Sequence, residues 1–180
     1  MITLQNSLYQ SCYCEENVYK LLEKLDKNTD FYAVLISNNS KQIPLWNQKA
    51  ARNNSFVVWD YHVISIKKQP NGSQVYDLDT TLSFPQDFET YWKETFNTDL
   101  ELNDQYKRHF RVIPASVYLS LLSSDRSHMQ KEDGSWIKPP PEWPIINPGI
   151  PTNLMELIKM SNIFDQTHTF DEENMYNFFK

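Results

Sequence analysis

At 180 residues, 40% of them hydrophobic and 14% aromatic, the chain can bury a sizeable core and is too apolar for a disordered tract. A net charge of −6 excludes the basic footprint that nucleic-acid binding needs. No run of about 18 apolar residues is available to span a membrane.

The first residues, MITLQNSLYQ, lack a basic stretch followed by an apolar one, so no secretory leader is expected. With only two cysteines, the expected location is a reducing one, the cytoplasm, with the nucleus as a second site. The Asn-x-Ser matches at Asn38, Asn53 and Asn71 are accordingly read as accidental. Next, EENVYKLLEKL sets Val18, Leu21, Leu22 and Leu25 at helical spacing, predicting an amphipathic helix that starts between Cys12 and Glu15. FYAVLIS (Phe31 to Ser37) predicts a buried strand, and KQIPLWNQKA a turn and a short strand around Trp46.

FVVWDYHVISIKK, rich in β-branched and aromatic residues, is the strongest strand signal. It ends at QPNGSQ, where Asn71-Gly72 favours a tight hairpin with VYDLDT as the returning strand. DFETYWKETF predicts a helix, FRVIP a short strand, and PASVYLSLLSSDRSHM a helix running into a loop. DGSWIKPPPEWPIINPGIP is too Pro-rich for helix and long enough to be a functional loop. TNLMELIKM and TFDEENMYNFFK predict two short helices, the second with Thr169 and Glu172 at capping-box spacing. With no internal repeat and no linker, residues 1–180 are expected to form one α+β domain with an antiparallel core.

Helical phase separates Cys12 from Cys14. Cys14 precedes Val18 by four and Leu21 by seven, placing it on the inward face, whereas Cys12 is out of phase. A first-turn cysteine sits near unpaired N–H groups and the positive dipole end, which favour thiolate; Glu15 and Glu16 oppose this. His62 lies mid-strand, a costly place for an imidazole unless something holds it, and the hairpin partner carries Asp77 and Asp79. Cysteine, histidine and aspartate so placed form the nucleophile, base and orienter of thiol enzymes.

A two-residue turn puts His62 opposite Thr81 and Asp79 opposite Ile64, making Asp79 the diagonal neighbour; a bulge or longer loop would slide Asp77 across instead. Trp59 and Tyr61 alternate away from His62 and are expected in the core. The bland alternatives are packing for Cys14, a structural hydrogen bond for His62 and a hairpin end for the aspartates. Zinc is disfavoured by the Cys-x-Cys spacing and the lack of a second pair, and a Cys12–Cys14 disulfide by its tight ring.

SCYCEEN, WDYHV, YDLDT, FRVI and SDRSHM, in that order and followed by PPPEWP, strongly resemble the protein N-terminal glutamine amidohydrolases from about Ser11 to Trp143. The tail beyond Pro148 matches weakly, and nothing is carried over there. The resemblance implies a monomer with a papain- and transglutaminase-like α+β fold, needing no metal or cofactor. It implies conversion of N-terminal Gln on proteins or peptides to Glu with release of ammonia, the new Glu then being arginylated and read as a degradation signal. It further implies Cys14 as nucleophile, His62 as base and Asp77, against the simple register, as the orienting acid.

The implied chemistry is acyl transfer through a thioester, with the Cys14 N–H as an oxyanion donor. Reading an N-terminus also requires a carboxylate for the α-ammonium, and Glu15, Asp79 and Asp125 are the candidates. Arg126 and His128 are expected to brace a loop beside the site. The competing readings are a thiol protease or transglutaminase using the same residues, and a non-catalytic module that binds protein N-termini.

Overall fold

A strand with no polar face, such as FYAVLIS, requires cover on both sides, and the computed structural model provides it. The structure describes residues 3–25, 30–52 and 55–180; Asn53 of the second Asn-x-Ser match lies outside them. The strand β1 (Phe31–Ser37) is central in a six-stranded antiparallel sheet. On one side it pairs with β4 (Tyr61–Lys67), followed by β5 (Gln74–Tyr76) and β6 (Gln86–Asp87). Its other neighbours are β7 (His109–Pro114) and then β8 (His168–Phe170). A separate pair, β2 (Ile43–Trp46) with β3 (Phe56–Trp59), flanks the sheet.

Alternate residues of β1 feed two cores. Ala33 and Leu35 pack with helices α1 (Cys14–Glu23), α3 (Ala115–Leu121) and α4 (Leu154–Ile158). Val34 and Ile36 pack with α2 (Phe88–Phe96) and α5 (Glu172–Phe179) on the opposite face. Burial of both faces explains a continuous apolar run where an antiparallel strand usually alternates. The expected α+β class with an antiparallel core is the observed one. No helix among the described residues is long and apolar enough to cross a membrane.

Three sequence expectations are corrected. FVVWDYHVISIKK is two strands, broken at Asp60, whose Oδ1 accepts the Tyr61 N–H at 2.9 Å and whose carbonyl accepts the Ser37 hydroxyl at 2.7 Å. The hairpin is not the two-residue one: Ser65 pairs with Tyr76 and Lys67 with Gln74, a longer loop shifts the register by two residues, and the ladder stops at Tyr76. Asp77 and Asp79 thus leave the sheet in a turn where the Asp79 N–H donates to Asp77 Oδ1 at 2.9 Å. Finally, Thr169 lies within β8, and Asp171, not Thr169, caps α5 by accepting the Asn174 N–H at 2.8 Å.

One buried ion pair fastens the Pro-rich loop to the first helix. Arg126 donates to Glu16 Oε1 at 2.9 Å and Oε2 at 2.8 Å, and also to the carbonyls of Pro141, Trp143 and Pro144. Trp143 Nε1 adds a bond to Glu16 Oε2 at 2.7 Å. Breaking a buried pair from one side leaves an uncompensated charge and costs about 3–5 kcal/mol. Arg126→Met is therefore expected to lower the unfolding free energy by about that much, read from urea denaturation; an unchanged midpoint would contradict this role.

Candidate active site

Helix α1 begins at Cys14, which the chain reaches through Tyr13 in a non-helical conformation (φ −128°, ψ 49°) whose side chain makes no capping bond. Two further contacts fix that start: Asn17 exchanges hydrogen bonds with the backbone of Gln10, both at 2.8 Å, and Tyr118 donates to the Glu15 carbonyl at 3.1 Å. The Cys14 side chain points toward β4 and opens into a cleft of about 360 Å³ that it shares with His62, Asp79, Trp59, Tyr61 and His128. Cys12 lies in the turn before the helix, so helical phase does not apply to it; it is partly exposed at the same cleft with a left-handed backbone (φ 68°).

His62 is held from two directions. Its Nε2 lies 3.0 Å from Asp77 Oδ1, and the Trp59 indole stacks on it with centroids 5.9 Å apart and planes inclined by 14°. Asp77 is fully engaged: Oδ1 also accepts the Asp79 N–H, while Oδ2 accepts Gln48 Nε2 at 2.9 Å and Tyr91 Oη at 2.8 Å. Burial alone would raise the Asp77 carboxyl, but His62 and these donors hold it below its usual value. For His62, burial acts to lower the pKa, and Asp77, with Asp79 and Glu15, outweighs it in the raised direction. The pair is a carboxylate with an imidazole that readily takes a proton. Ligand atoms of His62, Asp77 and Asp79 lie within 4.8 Å of one another, close enough to suggest a cation, yet Asp77 has its acceptor positions filled by protein donors.

The thiol has the opposite surroundings. Burial pushes Cys14 well up, Glu15 and Asp79 add to it, and the backbone of Val63 only partly opposes them. Cys14 Sγ lies 3.7 Å from Glu15 Oε2, which also accepts Tyr61 Oη at 3.0 Å. Glu15 is wholly buried, and burial lifts its pKa to about 7, with Glu16 reinforcing the shift. His128 Nε2 stands 3.6 Å from Glu15 Oε1, and burial lowers its pKa.

Of the three expected amine readers, Asp79 alone lines the cleft, its Oδ1 held by Tyr9 Oη at 2.6 Å. Glu15 sits behind Tyr61 and His128 with no exposed surface. Asp125 is exposed, closes a turn on the Ser127 N–H and does not join the site; this expectation is corrected. Arg126 braces the loop as expected, but His128 faces the cleft. Trp59 and Tyr61 contribute to the cores yet also line the cleft, because the break at Asp60 interrupts the alternation that would have hidden them. Asp60, Met129, Ile137 and Met155 were not anticipated; only the reading of the Pro-rich segment as functional hinted at Ile137.

An antiparallel α+β fold gathering a thiol, an imidazole and carboxylates at one cleft is the build of a hydrolase. The chain belongs to the N-terminal glutamine amidase family, whose model matches residues 9–179. It is 54% identical over 182 residues to a protein N-terminal glutamine amidohydrolase of Caenorhabditis elegans, covering 99% of each chain. It is 55% identical over 183 residues to that of Caenorhabditis briggsae, covering 99% of this chain and 98% of the relative. The corresponding Drosophila mojavensis protein is 52% identical over 145 residues, 77% of this chain and 71% of that one. The family match continues past Pro148, where short motifs carried little, and Met155 of that tail lines the cleft.

The buried Glu15 has a measurable consequence. Its carboxyl ionises near its usual pKa when unfolded but at about 7 when folded, so the folded form binds the proton more tightly between those values. Stability is then highest below the unfolded pKa and falls as pH rises to 7, by about 3 kcal/mol across that window. Glu15→Gln should remove most of this slope in urea unfolding followed from pH 4 to 8; a variant with the parent slope would contradict the assignment.

Proposed function

We propose that this protein hydrolyses the side-chain amide of glutamine at the N-terminus of proteins and peptides, giving glutamate and ammonia, with Cys14 as nucleophile and His62 as proton carrier. The observation that carries this reading is the bond of His62 Nε2 to the buried Asp77 carboxylate at 3.0 Å, in the same cleft as the helix-start thiol. That bond leaves His62 Nδ1 as the nitrogen that pairs with the Cys14 thiolate and protonates the leaving group. The thiolate attacks the side-chain carbonyl carbon; the C–N bond breaks as His62 protonates departing ammonia, and a thioester remains. His62 next takes a proton from water, hydroxide adds to the thioester, and the C–S bond breaks to free glutamate and the thiol. Asp77 keeps the imidazole oriented and stabilises its protonated form. The backbone N–H of Cys14, at the helix start, serves as the oxyanion donor.

Asp79 is the carboxylate best placed to accept the substrate's α-ammonium, because it lines the cleft beside both Cys14 and His62; Asp60 contributes negative potential from the rim. A cysteine at the start of a helix packed on an antiparallel sheet that carries the histidine supports reading the fold as papain- and transglutaminase-like. We also read the chain as one monomeric domain acting in the cytoplasm and nucleus, where its product terminus would feed arginylation-dependent degradation.

Ammonia release is expected from peptides beginning with Gln, and none from those beginning with Asn or acetyl-Gln; equal release from internal Gln would contradict the N-terminal reading. Cys14→Ser should lose activity by roughly a thousandfold or more while Cys12→Ser retains turnover. Asp77→Asn should cost about 10²–10⁴-fold in kcat, whereas Asp79→Asn should act on kcat/KM for peptides with a free amine; a reversal of that pattern would reassign the two aspartates.

A further inference from the structure

Three carboxylates stand around one thiol. Glu15 Oε2 is 3.7 Å from Cys14 Sγ, and Asp79 and Asp60 line the same cleft. Glu15 Oε1 is buried with no hydrogen-bond donor among the described residues. The positive groups nearby are otherwise engaged. Arg126 is bonded to Glu16, and Lys49 Nζ donates to the Leu78 carbonyl at 2.7 Å and lies over the Tyr9 ring at 5.0 Å. Burial disfavours the charged form of His128, and Tyr61 and Tyr118 are neutral phenols that donate to Glu15. His62, facing Asp77, is the one cationic partner left to the thiol among the cleft residues.

An excess of negative charge acts on both members of the reacting pair in one direction. At Cys14 it adds to burial, the larger effect, in holding the proton; at His62 it outweighs burial in favouring one. A site that keeps both protons, neutral thiol with imidazolium, lies one proton above the thiolate–imidazolium pair that attacks. We propose that the substrate's own α-ammonium, seated on Asp79, expels that proton, so that the N-terminal amine arms the nucleophile as well as being recognised. The balance is simple: the Cys14 S–H bond breaks, the proton leaves to solvent, the electron pair stays on sulfur, and His62 remains protonated. An acetylated or internal glutamine that reached the cleft would meet an unarmed thiol. This rests on the roles given above to Cys14, His62 and Asp79.

The test compares a Gln-starting peptide with the same peptide lacking only its α-amine, its first residue replaced by 4-carbamoylbutanoyl. Without the amine, the acid limb of kcat should move up by about one pH unit or more, giving roughly tenfold lower kcat on that limb at saturation. An unmoved kcat profile, with only KM raised, would overturn the inference and leave the amine a binding handle. Asp79→Asn, which removes the negative charge directly, should raise kcat on the amine-free peptide above that of the native protein near neutral pH; a fall would also overturn it. Should the amine-free peptide not turn over, calorimetry decides. A norleucine-starting peptide is titrated into the native protein in buffers of different ionisation heat at about pH 6.5, where the free amine is already protonated. Net proton release that persists in Glu15→Gln is expected; no release, or release lost in Glu15→Gln, excludes Cys14 as its source. Failure of the Gln peptide itself to yield ammonia is a separate outcome and would defeat the proposed function as well.

Discussion

A buried carboxylate stays ionised only if donors replace the water it has lost, and Asp77 obtains those donors from four segments of the chain. His62 comes from β4, Gln48 from the stretch after β2, Tyr91 from α2, and the Asp79 N–H from the turn after β5. The ladder between β4 and β5 must end at Tyr76 for this to happen, since a continued strand would commit the Asp77 backbone to pairing. The requirement to satisfy one carboxylate thus fixes where the hairpin ends, how α2 seats on its face of the sheet and where the imidazole points.

The first turn of α1 is the second such junction. Four consecutive residues serve four purposes there: Cys14 opens to the cleft, Glu15 sits unexposed beside it, Glu16 receives Arg126 and Trp143, and Asn17 ties back to Gln10. A helix start normally gains from acidic residues near its positive end, and both glutamates benefit in that sense. Glu15, with Asp79 and Asp60 of the cleft, also sets acidic groups about the sulfur, an arrangement opposed to thiolate formation.

Much of the frame was legible because local signals and tertiary demands agreed. The apolar stripe of α1 set Cys14 inward; the continuous run of β1 announced burial on two faces. Features decided by single hydrogen bonds were not legible. The break at Asp60 depends on its carboxylate meeting the Tyr61 N–H and its carbonyl meeting Ser37, neither of which alters strand propensity. That break is why Trp59 could be assigned to the core yet stack on His62. Asn71-Gly72 suggested a tight turn, but pairing of β5 with β6 and the needs of Asp77 favoured a longer loop. Asp125 was attractive by its motif and proved to be a turn former, because Arg126 beside it is the residue that faces inward. Met155 shows the general limit: it reaches the cleft through packing of α4 against β1, which no spacing along the chain announces.

The central claim is that Cys14 is the atom donor to the substrate carbonyl, with His62 and Asp77 behind it. A peptide whose first residue carries a diazoketone in place of the glutamine carboxamide would alkylate whichever side chain attacks that position. Peptide mapping of the labelled protein should find one adduct, on Cys14, with Cys12 unmodified and labelling abolished when the peptide is acetylated. An adduct on Cys12 or on any other residue would contradict the account.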